Sequence, residues 1–342
     1  MKYKMSALFD MHVHFRDPGQ THKETLDSGS SAAYYGGFDG VLCMPNTVPV
    51  VDTPELVKYI SGVRNGVQVY AAAAITKGLS GVELTDFAAL KSAGAIAVTD
   101  DGKPVSDPKL FREALLRAED NGLLLLSHSE DLQYIGNADE TAAEYRAVER
   151  EVELAVETNT RLHLTHISCE KSLAIIREAK RQNPKITCDT APHYFSFSKD
   201  DINNNTNFKM NPPLRAESDR RAVISAIKDR TIDAIITDHA PHSKTENSVP
   251  YDTAPNGIIG LETSLTATIS ALYHKHNIPV SRITELMSDK PREILRLPKT
   301  NKYIIIDTDE AYTVNAGNFK SLSRNCPWNG VKLYGTITDK NF

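Results

Sequence analysis

No stretch of this sequence approaches the roughly 18 uninterrupted apolar residues that a membrane-crossing helix needs. The opening "MKYKMSALFDMHVHF" has no apolar run of signal-peptide length before a charge or a histidine breaks it. Neither export nor membrane insertion is expected, and the protein is expected to be cytoplasmic. Basic charge is also in short supply. The 39 Lys and Arg stand against 44 Asp and Glu, a formal charge of −5, so the electrostatic footprint of a nucleic-acid binder is missing. Cysteine is sparse: Cys43, Cys169, Cys188 and Cys326 are scattered, with no CxxC pair. That pattern suits buried free thiols in a reducing compartment better than a disulfide framework. No internal repeat or low-complexity tract is present.

What is there is an alternation of short apolar runs with amphipathic segments. The runs are "ALFDMHVHF" (7–15), "GVLCMP" (40–45), "VQVYAAAAIT" (67–76), "AIAVTDD" (95–101), "LLLLSHSE" (123–130), "RLHLTHIS" (161–168), "KITCDTAPHY" (185–194) and "IDAIITDHAP" (232–241). Between them lie helical patterns such as "DPKLFREALLRAEDNG", with Asp107 and Pro108 as start signals and Gly122 as a stop, and "EKSLAIIREAKRQNP", ending at Pro184. Eight strand-like runs separated mostly by helices predict a parallel (β/α)₈ TIM barrel over residues 1–299, with a doubly wound sheet as the structural rival. Two further helical patterns, 260–275 and about 279–296, follow the eighth run. From Lys302 the texture becomes that of short antiparallel strands, "KYIIID", "AYTVN" and "GVKLYGTIT", predicting a β-rich appendage over 300–342.

In a barrel of this kind, chemistry collects at the C-terminal ends of the strands. Those ends carry His12 and His14, Asp100 and Asp101, His128, His166, and Asp238 followed by His239 and His242. His12 and His14, two apart in a strand, point to one face. A lone strand-end histidine is usually structural, but five strand ends supplying imidazole or carboxylate point to zinc or another borderline divalent metal. Four histidines and two aspartates exceed the three protein ligands typical of one catalytic zinc. They suffice for two ions about 3.5–4 Å apart sharing a water and a carboxylate. Along "AIAVTDD", Ile96 and Val98 share a face with Asp100, while the small Ala95, Ala97 and Thr99 share one with Asp101. If the bulky face meets the helices, Asp101 turns inward.

The stretches "DMHVHFRDPG", "MPNTVPVVD", "VTDDGKPVSD", "HSED", "THIS", "FKMNPPLR", "TDHAPH" and "APNGIIGLET" occur in the order found in class I, bacterial-type dihydroorotases of the amidohydrolase superfamily, which the chain resembles from about Phe9 to Leu297. The resemblance implies two zinc ions per subunit. His12 and His14 would hold one, His128 and His166 the other, Asp101 would bridge both, and Asp238 would bind the first and serve as catalytic base and acid. Many relatives bridge their metals with a carboxylated lysine, but no lysine lies in "AIAVTDDG" before Lys103, so this chain resembles the aspartate-bridged branch. The implied reaction is reversible closure of N-carbamoyl-L-aspartate to (S)-dihydroorotate plus water, a step of pyrimidine synthesis, by a binuclear zinc hydroxide mechanism.

For the substrate carboxylate the resemblance implies Arg16 and Asn46, with Asn211, His242 and the backbone around Asn256 and Gly257 completing the pocket. The residue types alone leave Asn46 and Asn211 open as turn residues beside proline, and Arg16 as a surface pair with Asp17 or Glu24. His163, His193 and His239 are expected to be structural. The polar loop "HSKTENSVPYDTAPNG" (242–257) is expected to cover the site.

The chain departs from the family in starting soon before His12, so the usual accessory β-sandwich is expected to be mostly truncated. Asn256 stands where relatives often have an aromatic, and Tyr194 where they often have histidine. Two rivals remain: another cyclic amidase (hydantoinase, dihydropyrimidinase or allantoinase), and a non-catalytic partner of aspartate transcarbamoylase. The expected ligand is a small molecule. A homo-oligomer or a transcarbamoylase partner is compatible with the sequence.

Overall fold

The computed structural model describes residues 1–342. Its first strand, β1 (Lys2–Ser6), stands apart from the barrel. The eight barrel strands are β2 (Leu8–Val13), β3 (Phe38–Cys43), β5 (Val67–Ala73), β6 (Ala97–Val98), β7 (Leu124–Ser127), β8 (Leu162–Leu164), β9 (Ile186–Thr190) and β10 (Ala234–Ile235), with a short β4 (Gly62–Arg64) flanking β5. The eight pair in parallel in chain order. A bridge between Val13 and His239, with the His14 amide donating to the His239 carbonyl at 2.8 Å, joins the last strand to the first. This is the (β/α)₈ barrel, and each of the eight apolar runs supplies one strand. The strands are buried on both faces, as parallel strands covered by helices are; all six residues of β2 and of β3 are buried.

The helices form for local reasons. Over Pro108–Asp120 the Asp107 side chain accepts from the Lys109 amide, Pro108 occupies the first turn, and Phe111, Ala114, Leu115 and Ala118 make the buried stripe. Gly122, at φ 64°, then turns the chain into β7. Glu170–Gln182 buries Leu173, Ile176 and Ala179 at the same spacing. The two late helical patterns are interrupted by π-helical turns, Ile269–Lys275 and Glu285–Asp289.

The expected short C-terminal strands differ in detail. "KYIIID" and "AYTVN" fuse into one strand, β11 (Tyr303–Thr313), with register shifts absorbing the irregular middle, and β12 (Lys332–Lys340) pairs with it. The third strand of this antiparallel sheet is β1, in register Lys2 to Asp307 through Ser6 to Tyr303. The small sheet is thus sewn from both ends of the chain. Met5, Ile304, Ile306, Leu333 and Trp328 belong to the same contiguous apolar core as the barrel, so the sheet packs on the barrel and does not form a separate core. No helix is long and apolar enough to cross a membrane.

Candidate active site and metal centre

Six side chains converge at the C-terminal mouth of the barrel. His12 lies in β2 and His14 just beyond it; Asp101, His128, His166 and Asp238 follow β6, β7, β8 and β10. All six are buried, at 1–7 % exposure. Arg16, His166 and Asp238 hold left-handed backbone conformations, φ 58°, 44° and 49°, a strain that non-glycine residues accept only where the surroundings enforce it. At His166 the enforcing contact is visible: its amide donates to Asp189 Oδ1 at 2.5 Å.

The imidazoles are oriented so that one nitrogen each faces the centre. Thr165 Oγ1 lies 3.2 and 3.3 Å from the two Asp189 oxygens and gives its proton to that carboxylate. It therefore accepts from His12 Nδ1 at 2.8 Å, leaving the His12 Nε2 lone pair inward. Asn46 Oδ1 accepts from His14 Nδ1 at 2.8 Å, and its amide nitrogen donates to Asp101 Oδ2 at 3.3 Å, which fixes the amide's direction. Glu130 lies 3.5 Å from His128 Nε2, leaving His128 Nδ1 inward. Such outer partners set the tautomer of a ligating histidine.

The inward nitrogens crowd one another: His12 and His14 Nε2 are 3.2 Å apart, and His128 Nδ1 is 2.9 Å from His166 Nε2. Ligands of a tetrahedral ion at about 2.0–2.1 Å sit at a similar mutual spacing. Asp101 Oδ1 faces His12 Nε2 at 3.4 Å, His128 Nδ1 at 3.5 Å and His166 Nε2 at 3.8 Å, while Oδ2 faces His14 Nε2 at 3.5 Å. Asp238 Oδ1 lies 3.3 Å from His14 Nε2 and 3.6 Å from His12 Nε2. Two groups of possible ligand atoms result, His12–His14–Asp238 and His12–Asp101–His166, with His12 common to both. Asp101 Oδ1 is buried without a hydrogen-bond donor, a costly state for a carboxylate oxygen unless a cation faces it. The donor set fits divalent metal.

The electrostatics agree. Burial opposes charge on His12 and His128, yet the Asp101 carboxylate, and Glu130 beside His128, raise them to about 9 and about 10. Burial likewise opposes ionisation of Asp101, but His12 and the other imidazoles hold it well below the usual carboxylate range. Asp238 is also held low, chiefly by the His14 hydrogen bond acting against burial. The centre draws positive charge.

The cavity above these residues has a volume of about 360 Å³, and Arg16, Lys23, Asn46, Asn211, His242, Asn256 and Gly257 help line it. Arg16 is buried and pairs with neither Asp17 nor Glu24. Its Nε donates to the Pro241 carbonyl at 3.3 Å, leaving the terminal nitrogens without a protein partner. Asn211 donates to Glu130 at 3.2 Å and faces His128 Nε2 at 3.3 Å. His242 Nε2 donates to the Asn256 carbonyl at 2.8 Å. Gly257, at φ 143°, comes so close to Ala240 that a Cβ there would meet the carbonyl oxygen at 2.6 Å. Asp100 turns away to the Thr76 amide at 3.0 Å.

His163 is paired with Asp189 at 2.8 Å and Thr187 at 2.7 Å; His239 is paired with Glu24 at 3.2 Å. His193 is buried with neither nitrogen bonded, and burial lowers it to about 4. Sequence reasoning missed Asp10, Thr165, Asp189 and Glu130, the partners that orient the centre. It also missed Lys23 in the wall and Asn325. The Asn325 amide donates to the carbonyls of Ala240 (3.1 Å) and Gly257 (2.9 Å) and so pins two walls together. Asp10, Glu130 and Thr165 stand inside "DMHVHFRDPG", "HSED" and "THIS", close to proposed ligands, and Lys23 is one residue before Glu24 in "THKET", close to the HxH motif. No local pattern marks Asp189 or Asn325.

Comparison with known proteins agrees with this geometry. The family model described as dihydro-orotase-like matches residues 2–178. The dihydroorotase of Desulfotalea psychrophila is 42% identical over 98% of this chain and 86% of its own length. That of Trichlorobacter lovleyi is 40% identical over 98% and 84%. Among solved structures, the L-hydantoinase (dihydropyrimidinase) of Arthrobacter aurescens superposes with a TM-score of 0.87 at 22% identity, over 99% of this chain and 84% of that one. At that identity the likeness bears on the fold alone, whereas the matches over nearly the full length at about twice that identity bear on descent: the chain belongs to the dihydroorotase family.

Proposed function

We propose that this protein is a dihydroorotase that interconverts N-carbamoyl-L-aspartate and (S)-dihydroorotate plus water, with two zinc ions per chain. The observation that carries the reading is the buried Asp101 carboxylate, which faces four inward imidazole nitrogens from three strands beside a cavity walled by a free arginine fork. On this reading His12, His14 and Asp238 hold one ion, His128 and His166 the other, and Asp101 both. When bound, the ions supply an activated water at neutral pH and polarise the amide carbonyl.

The chain's own residues do the rest. Arg16 presents two terminal nitrogens in a plane, the geometry that grips a carboxylate through two hydrogen bonds. Asn211 and the backbone of Asn256 and Gly257 bound the ring, and His242, its Nε2 committed to Asn256, is a fixed wall. Asp238 is held ionised, so it can take the proton of the attacking water. As the ring C–N bond breaks it returns that proton to the leaving nitrogen. In the synthetic direction the same proton travels back and water leaves.

Steady-state assay of the purified protein on dihydroorotate, carbamoyl aspartate, hydantoin and dihydrouracil, with elemental analysis of the same sample, tests the reading. Turnover of the first two in both directions with about two zinc ions per chain is expected. Preference for hydantoin or dihydrouracil, or zinc-replete protein without turnover, would overturn it.

A further inference from the structure

Lys23 is a buried cation inside the cavity. Its side chain is 11% exposed, and its ammonium lines the same space as Arg16. Two of its three donors are directed: one to Glu246 Oε1 at 3.0 Å, the other towards His242 Nδ1 at 3.5 Å, the nitrogen left with a lone pair because Nε2 donates to Asn256. The third has no protein partner. A lysine is rarely buried without a purpose for its charge.

Glu246 divides its two oxygens between separate tasks. Oε2 accepts from the Ser243 amide at 2.9 Å and hydroxyl at 2.7 Å, closing the capping box of the short helix Lys244–Asn247. Oε1 faces Lys23, with His22 Nε2 at 3.6 Å on the exposed side. The helix belongs to the segment after β10 that also supplies Asn256 and Gly257, so the counter-charge comes from the loop over the site.

Resting on the dihydroorotase reading, the geometry points to Lys23 as a specificity-determining residue: with Arg16 it supplies a second positive charge for the carboxylate of the substrate, and Glu246 neutralises it until that carboxylate arrives. The cavity is then polarised, with carboxylates and imidazoles at the reacting end and two cations at the other. A ring lacking the carboxylate would leave both cations uncompensated, which selects against it.

A purely structural ion pair makes a different prediction, because removing either partner would then harm the site in the same way. If Glu246 competes with substrate for Lys23, the two substitutions act with opposite signs. Glu246→Gln suits the test because glutamine keeps the capping box while losing the charge. Wild-type turnover of dihydroorotate is measured first; its absence overturns the functional reading and this inference with it. Given turnover, Lys23→Met is expected to raise KM for dihydroorotate roughly 10- to 100-fold, more than it lowers kcat. Lys23→Arg should recover most of that loss, and Glu246→Gln should lower KM. A rise in KM in both Lys23→Met and Glu246→Gln would mean a latch and would overturn the proposal, as would an unchanged KM in Lys23→Met. Should Lys23→Met fail to fold, the sign of the Glu246→Gln effect decides alone.

Discussion

Asp10 has no part in the proposed chemistry, yet the structure makes it a hinge pin of the candidate metal centre. It is fully buried. Its Oδ1 accepts from the His12 amide at 3.1 Å and the Thr237 amide at 3.2 Å, and its Oδ2 from the Thr237 hydroxyl at 2.6 Å. One carboxylate thus fixes the strand bearing two proposed ligands to the segment bearing a third. Asp10→Ala would leave three buried donors without an acceptor at about 1–3 kcal/mol each. Because the Thr237 hydroxyl can rotate towards another acceptor, the two amides dominate and a total loss of about 2–6 kcal/mol is expected. A typical domain has only about 5–15 kcal/mol in hand. Asp10→Asn keeps the shape and one acceptor oxygen, so most of the stability should survive while the ligands lose their alignment. Outer partners of metal ligands typically cost about 10–100-fold in affinity when removed. Urea unfolding followed by far-UV circular dichroism reads the first effect, and competition for zinc with a chelator the second. A loss below about 1 kcal/mol in Asp10→Ala, together with wild-type zinc affinity in Asp10→Asn, would refute the reasoning.

Asp238→Asn should keep the fold and at least one ion per chain, yet lose about 10²–10⁴-fold in turnover, equally for synthesis and hydrolysis, since both cross one transition state; steady-state rates in both directions check this. Arg16→Lys replaces a two-pronged grip by a point charge and should cost about 1.5–3 kcal/mol in kcat/KM for both substrates. Metal-free protein should regain full activity with zinc in bicarbonate-free buffer, because an aspartate bridge needs no carbon dioxide to assemble; a bicarbonate requirement would contradict the role given to Asp101. Burial pushes the Cys188 and Cys326 thiols up to about 12 and raises Cys43 and Cys169 as well. All four free cysteines should therefore resist a thiol-reactive chromophore in the native protein and react once it is unfolded in guanidinium.

The barrel was legible because eight apolar runs recur with helical patterns between them. Their lengths were not, since the run 95–101 yields a ladder of only Ala97–Val98 and the run 232–241 only Ala234–Ile235. Apolar character marks what is buried, not how far the regular ladder runs. Alternation in "AIAVTDD" put Asp100 and Asp101 on opposite faces, because a two-residue period is a local property. Which face turns inward rested on the bulky side meeting the helices and on the resemblance. Most partners of the imidazoles were out of reach for the opposite reason. Thr165 meets His12 and Asn211 meets His128 from distant parts of the chain, and nothing near either residue in sequence announces the other. Glu130, two residues after His128 in "HSED", is the local exception. The resemblance assigned Asn46 to the substrate, and its bond to His14 was equally invisible. The sheet partner of Lys2–Ser6 lies at the far end of the chain.

Asn325 has a consequence for how the enzyme comes into being. Synthesis runs from the N-terminus, and segments begin to organise as they emerge. The histidines of β2 are made long before Asn325, whose amide braces Ala240 against Gly257. A nascent chain therefore holds its first metal-seeking side chains long before it owns a finished pocket to shelter them. Asn325→Ala would leave every proposed ligand in place around a mouth with two unfastened walls. Such a variant should still capture zinc, and should be a poor enzyme for a reason that no inventory of its ligands would reveal.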